Sequence, residues 1–354
     1  MADLKDTIKD TTAKLVGILN PRNRDVISRR FGLKNGRKET LESIGQSYSI
    51  TRERVRQIEE VSLKQVRENL STEGSARVKP FVALAENILE QAGGVLPEGD
   101  FFNRFFGVNS NRPANNETAN ASLVFLLTLD GKLQRTLEDE NFRSFWSLSR
   151  QHGDGFTGSV GTLVKALAKS QTPIAENTLS DFAKKAGLAP KNVTPLAVTS
   201  YLAISKTIGK NMFGHVGLTS WPEIKPRGVR DKSYLVLKKT GAPKHFREIT
   251  QLINTTFGDR EANTQTVHNE LIKDPRFVLV GRGLYGLSEW GYKAGTVKDV
   301  LVDIMRSSNK PLKREDIVAQ VLSHRLVKEN TIILNLQDSK TFKRTEAGYI
   351  LNEA

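Results

Sequence analysis

The chain has 354 residues, long enough for several small cores, and carries 53 Lys and Arg against 39 Asp and Glu, a net charge of +14. No cysteine is present, which excludes disulfides and thiolate metal sites. A basic balance of this size favours a polyanion, nucleic acid foremost, as partner, and says nothing about sequence specificity.

His152, His215, His245, His268 and His324 are scattered without metal-ligand spacing, so no metal or cofactor is expected. The N-terminus, MADLKDTIKD, mixes acids and bases and lacks an apolar signal core. No apolar run approaches the roughly 20 residues of a membrane span. The expectation is a cytoplasmic protein with no membrane partner.

Residues 1–19 read as a helix with Leu4, Ile8, Leu15 and Ile18 inside. Asn20-Pro21 marks a helix start, and residues 22–31 form the next helix, with Val26, Ile27 and Phe31 inside and Gly32 as its cap. Asn35-Gly36 marks a loop. Residues 40–70 then read as two helices joined by a short turn. Leu41, Ile44 and Gly45 share one face of the first, Tyr48 to Ile50 make the turn, and Ile50 fills the angle between the helices.

Thr51 is a good N-cap for the second helix, because its hydroxyl can accept from a free amide of the first turn. Val55, Ile58, Ser62, Leu63 and Val66 fall at three-and-four spacing and face the core. That leaves Arg52, Glu53, Arg54, Arg56 and Gln57 exposed near the helix start. These residue types suit duplex DNA. Arg can bond guanine, Gln adenine, and Glu the cytosine amino group, while neighbouring Arg side chains neutralise phosphates. This first domain is placed at residues 1–70, with twelve basic and seven acidic residues from position 20 onward. Residues 71–77 are a short linker.

The words RNRDVISRRFGL and TLESIGQSYSITRERVRQIEEVSLKQVR in this stretch closely resemble region 4 of the sigma-70 class of bacterial RNA polymerase sigma factors. The resemblance implies a helix-turn-helix that reads the −35 promoter element and packs on the flap of the polymerase beta subunit. Carried over by position, it makes Arg52, Glu53 and Gln57 base readers, and Thr51, Arg54 and Arg56 phosphate contacts. Ser49 stands where many relatives have Gly, which is tolerable if Ser49 keeps a negative φ. No aromatic-rich region 2 is recognisable elsewhere in the chain.

The remainder is internally repetitive. An apolar helix, a Pro or Gly turn, two more helices and a strand with small residues recur about four times. This spacing suits winged-helix units at residues 78–149, 160–221, 231–292 and 297–354. The fold class expected is therefore mainly α, a helix-turn-helix followed by tandem winged-helix units with small β-hairpins. The run ASLVFLLTL at 121–129 is a buried helix. In the third unit Phe246, Ile249, Leu252 and Ile253 form a helical face, and strands flank a wing turn at Gly281-Arg282-Gly283.

The pattern FREI, TVHNEL and DPRFVLVGRGLYGLSEWGY resembles the HARE-type helix-turn-helix domain, known from the RNA polymerase delta subunit and from chromatin- and restriction-linked proteins. Arg282 at the wing tip is a candidate DNA contact. The basic run from Lys225 to Lys244 is a candidate electrostatic strip.

No phosphate-cradling loop, GxSxG, HExxH or two-metal acidic cluster is present, so no enzymatic activity is expected. The chain reads as a sequence-specific DNA-binding protein of transcription initiation, sigma-factor-like and bacterial, nucleoid-associated. Its expected partners are double-stranded promoter DNA with a −35-like element and the RNA polymerase core. The alternative is an adaptor that docks on polymerase by protein contacts without reading DNA.

Overall fold

In the computed structural model the described residues are 4–70, 75–107, 117–188, 194–258, 260–308 and 310–352. Among them the chain is mainly helical, with sixteen α-helices and eleven short strands, all strands paired antiparallel. The packing falls into two compact bodies, Met1–Thr219 and Ser220–Ala354.

The first body opens with α1 (Leu4–Gly17), α2 (Pro21–Phe31), α3 (Leu41–Tyr48) and α4 (Arg52–Asn69). Asn20 caps α2 by accepting from Asn23 N, and Gly32 closes it in the left-handed region at φ 72°. Ile18, expected inside, is 39% exposed. Helix α1 ends at Gly17, which takes Ile18 off the apolar face, and Val16 and Leu19 are buried instead.

Four times thereafter the same order appears. The first module runs α5 (Ser75–Gln91), β1 (Val95–Pro97), α6 (Glu98–Phe105), α7 (Glu117–Asp130), β2 (Gln134–Thr136), β3 (Phe145–Ser147). The second runs α8 (Arg150–Ser170), β4 (Ile174–Ala175), α9 (Leu179–Lys185), α10 (Pro195–Ile204), β5 (Ile208–Lys210), β6 (His215–Leu218). The third, in the other body, runs α11 (Val229–Thr240), β7 (Lys244–His245), α12 (Phe246–Phe257), α13 (Thr264–Lys273), β8 (Phe277–Gly281), β9 (Leu284–Leu287). In each of these three, the last strand lies between the other two. The fourth runs α14 (Val297–Ser308), α15 (Arg314–His324), α16 (Glu329–Leu336), β10 (Phe342–Thr345), β11 (Gly348–Leu351), and a single bridge from Leu312 to Tyr349 replaces the first strand.

The first three modules thus gain a short strand between their first two helices, and the fourth a single bridge, beyond the three helices and hairpin read from the sequence. The expected start at residue 160 falls inside α8, which begins at Arg150 because the Ser149 hydroxyl accepts from His152 N. Residues 71–74 of the expected linker lie outside the described residues.

The main core of the first body crosses that linker. Ile8, Leu15 and Val16 of α1 join Val66 of α4, Phe81 and Leu89 of α5, and Leu123 and Leu126 of α7. Helix α7 is buried on nearly every side, as its apolar run requires. Phe31 meets Phe125 edge-on at 5.0 Å, and Arg67 donates to the carbonyls of Thr128 and Leu129 at 3.2 and 3.3 Å. The rear of the helix-turn-helix is therefore packed against the first module, while its front stays open.

Candidate nucleic-acid interface

A smaller core holds α2, α3 and α4 together. Val26, Ile44, Val55 and Ile58 are its centre, with Leu41, Tyr48 and Ile50 packed around them. The turn between α3 and α4 is closed from both sides. Ile50 N donates to Gly45 O at 3.0 Å, and a Cβ on Gly45 would stand 2.7 Å from Ile50 O. Only a residue without a side chain admits this approach.

Ser49 takes the left-handed conformation, φ 53°, as the C-cap of α3. The expectation of a negative φ there is overturned. Capping demands it, because Ser49 N–H turns back onto the last carbonyls of α3, those of Gln46 and Gly45. A non-glycine residue in that conformation costs roughly 1–2 kcal/mol.

Thr40 caps α3 by accepting from Ser43 N at 3.1 Å, and Thr51 caps α4 by accepting from Arg54 N at the same distance. The Thr51 cap fixes where α4 begins and hence which side chains lead. Arg52, Glu53, Arg54, Arg56 and Gln57 are all exposed there, and Val55 and Ile58 point inward. The structure thus gathers six of the seven proposed contact residues, Thr51, Arg52, Glu53, Arg54, Arg56 and Gln57, at the accessible start of one helix.

Their mutual contacts were not read from the sequence. Arg56 donates to Glu53 at 2.8–3.1 Å and to Glu60 at 3.2 Å, and Arg54 donates to the Gln57 side-chain carbonyl at 3.0 Å. The Arg56 hydrogen bonds hold the Glu53 carboxyl below the usual range, and Glu53 in turn raises Arg56. Arg52 has no ion pair among the described residues. Surface pairs of this kind exchange partners at little cost, so the face can re-pair with a polyanion.

A second polar network ties α2, α3 and α4 to one another. Arg29 forks onto Glu39 at 2.6 and 2.9 Å and reaches Ser47 at 2.7 Å. Asp25 accepts from Lys34 at 2.8 Å and from the Tyr48 hydroxyl at 2.9 Å, and Arg30 pairs with Glu59 at 3.2 Å. Hydrogen bonding to Lys34 lowers the Asp25 carboxyl, and the Arg29 fork lowers Glu39. Burial, with the bond to Asp25, raises the Tyr48 hydroxyl. The i,i+4 spacing of Asp25 and Arg29 was the one sequence signal for this network.

Arg282 lies in the other body, exposed at the tip of the β8–β9 hairpin. Gly283 beside it has φ 71°, and a Cβ there would stand 2.6 Å from His245 Nε2, so the turn requires glycine. The basic run from Lys225 to Lys244 is not a stripe of free charge. Lys238 pairs with Glu223 at 2.6 Å, Arg230 with Asp274 at 3.3 Å and Lys244 with Glu248 at 3.4 Å. Among the described residues no group of acidic, His or Cys side chains could hold a metal, and no helix is long and apolar enough to cross a membrane.

Comparison with known proteins bears on this same end of the chain. Residues 15–68 match the family described as Sigma-70, region 4, so the helix-turn-helix is a sigma-70 region 4 domain. The chain is 46% identical over 63 residues to the RNA polymerase sigma factor SigA of Nostoc sp., covering 18% of this chain and 16% of that protein. It is 44% identical over 63 residues to SigA of Microcystis aeruginosa, covering 18% and 15%. Over 60 residues it is 43% identical to SigA of Clostridium acetobutylicum, covering 17% and 16%. The chain therefore matches about a sixth of the length of these relatives.

Proposed function

We propose that this protein is a non-catalytic DNA-binding factor of transcription initiation, whose helix α4 reads a −35-like promoter element while the same domain docks on the RNA polymerase core through the beta flap. One observation carries the reading. A capped helix, braced from behind, presents Arg52, Glu53, Arg54, Arg56 and Gln57 to solvent within a sigma-70 region 4 domain.

The mechanism is equilibrium binding. Arg52 addresses guanine, Gln57 adenine and Glu53 the cytosine amino group. Arg54 and Arg56 meet phosphates, and Thr51 sets the helix start against the backbone. For Arg56 this means leaving Glu53 and Glu60, which frees Glu53 for its base. The four repeated modules act in this scheme as winged-helix units, the third of HARE type, with Arg282 at its wing. They extend the contact to DNA or polymerase. Such a protein works in the cytoplasm, on the nucleoid.

Gln57→Ala is expected to relax sequence preference with modest loss of affinity, and Arg56→Ala to weaken all sequences together. Anisotropy titration of the full chain on labelled duplexes reads both. Unchanged binding in both variants would remove the assignment of α4.

A further inference from the structure

The fourth module departs from the other three at one edge of its sheet. In the first three, a short strand follows the first helix and pairs with the last strand of the module. In the fourth, Leu312 alone takes that place. Its N–H donates to Tyr349 O at 3.1 Å, and its carbonyl accepts from Tyr349 N at 2.8 Å. Residues two apart on an antiparallel strand turn their backbone groups to the same edge. Leu351 of β11 therefore turns its N–H and carbonyl the way Tyr349 does, and among the described residues no strand lies opposite it there. An unpaired edge of this kind is a template for another chain.

A cleft of about 880 Å³ opens at this edge. Its apolar lining is Val302 and Met305 of α14, Pro311, and Ile350 and Leu351 of β11. Its polar lining carries Arg306, Lys310 and Lys343, and no acid. These three cations are exposed, and none has an ion pair among the described residues. The acids nearby do not answer them. Lys298 holds Asp338 at 2.5 Å, and Asp303 of α14 stands outside the lining.

The cleft thus offers three things together: an aliphatic floor, free cations and a length of sheet edge. A single-stranded nucleic acid would look for aromatic planes on which to stack its bases, and no aromatic side chain lines the cleft. An anionic lipid would cover the floor and meet the cations, but would leave the backbone edge unpaired. A polypeptide meets all three. In an extended chain successive side chains point to opposite faces, so a segment that alternates acidic and aliphatic residues lays one kind on the floor and turns the other toward the cations.

We propose that this cleft docks an extended segment of a partner protein in which acidic and aliphatic residues alternate. Its backbone adds to the edge of β11, its aliphatic side chains rest on Val302, Met305 and Ile350, and its carboxylates meet Arg306, Lys310 and Lys343. The inference stands apart from base reading by α4 and concerns a different partner.

The test screens a displayed library of random peptides on the full chain. The enriched peptides, made with a fluorescein label, are then titrated by anisotropy against wild type and against the variant Arg306→Glu, Lys343→Glu. Alternating acidic and aliphatic residues are expected among the enriched peptides, and the variant should bind them at least about tenfold more weakly, the equivalent of about 1.4 kcal/mol. Methylating the backbone amides along one edge of such a peptide should weaken it as much, while methylating the other edge should leave it intact. Enrichment of no peptide, or of peptides without acids, would overturn the inference, as would equal affinity for the charge-reversed chain or indifference to methylation of either edge. Phosphatidylglycerol vesicles that displace nothing and bind wild type but not the variant, with no peptide enriched, would give the cleft to lipid instead. Self-association of wild type that the variant loses, again with no peptide enriched, would give it to a second copy of this chain. Both substituted side chains are exposed, and circular dichroism of the variant confirms that the fold persists.

Discussion

Gly45 and Gly158 both lie within helices, yet replacing each by alanine should move stability in opposite directions. In an ordinary helix interior, Gly→Ala stabilises by about 1 kcal/mol. Gly158 of α8 has nothing within 4 Å of an added methyl, so Gly158→Ala should gain that amount. Gly45 is different, because the methyl would stand 2.7 Å from the Ile50 carbonyl oxygen and 3.5 Å from the Arg52 nitrogen. Both neighbours are backbone, and the turn is already tied by the bond from Ile50 N to Gly45 O. Relieving the clash means prying α3 and α4 apart. Overpacking of this kind costs about 1–3 kcal/mol, which outweighs the propensity gain and leaves a net loss of about 1 kcal/mol. Hydrogen exchange of the full chain, followed by mass spectrometry, reads the two sites separately. Peptides from α3 and α4 should exchange about fivefold faster in Gly45→Ala, while α8 peptides slow in Gly158→Ala. Unchanged or slower exchange around α3 and α4 in Gly45→Ala would refute the steric account of the turn.

Other outcomes follow from the same helices. Thr51→Ala removes the hydroxyl that accepts from Arg54 N and should destabilise the start of α4 by about 1 kcal/mol, seen as faster exchange of its first-turn amides. Ser49→Gly relieves the left-handed strain at φ 53°, and should slow exchange around the turn; faster exchange would mean that Ser49 is not strained. Asp25 and Glu39 are both held below their ordinary values, so they bind fewer protons in the folded chain than in the unfolded one near those values. Their contribution is complete above the ordinary carboxylate range and is lost as pH falls through the lowered values. Exchange corrected for intrinsic rates should therefore show α2 and α3 losing protection from pH 5 downward. In Glu39→Gln part of that pH dependence should vanish.

The helix-turn-helix is legible in the sequence because its signals are local. Thr51 announces the cap, and Val55, Ile58, Ser62 and Val66 repeat at the helical period, so the exposed residues follow by subtraction. Ile18 departs from expectation because the period does not continue past Gly17, where α1 stops. Ser49 departs because its conformation is set by the cap of α3, which residue type does not reveal. The first strand of each of the first three modules is invisible to pattern, since pairs such as Ile174–Ala175 or Lys244–His245 are too short to show alternation. The early start of α8 is hidden by its own glycines at 153, 155 and 158, which mask a helix that Ser149 begins. The shared core of α1 and α7 lies between residues more than a hundred positions apart, beyond the reach of local pattern. The same holds for the Arg29–Glu39 fork. The clasp of Arg56 between Glu53 and Glu60 is local, and its three- and four-residue spacings were there to be read.

The measurement closest to the central claim is fluorescence anisotropy of the full chain with a −35 duplex and a scrambled duplex, each at two salt concentrations. The account predicts at least a tenfold preference for the −35 duplex, about 1.4 kcal/mol, with affinity for both falling as salt rises. Equal, salt-sensitive binding to both duplexes would contradict base reading by α4 and leave only a cationic surface. Absence of binding to either would contradict DNA recognition altogether and turn the account toward a polymerase adaptor, with core polymerase as the next partner to test.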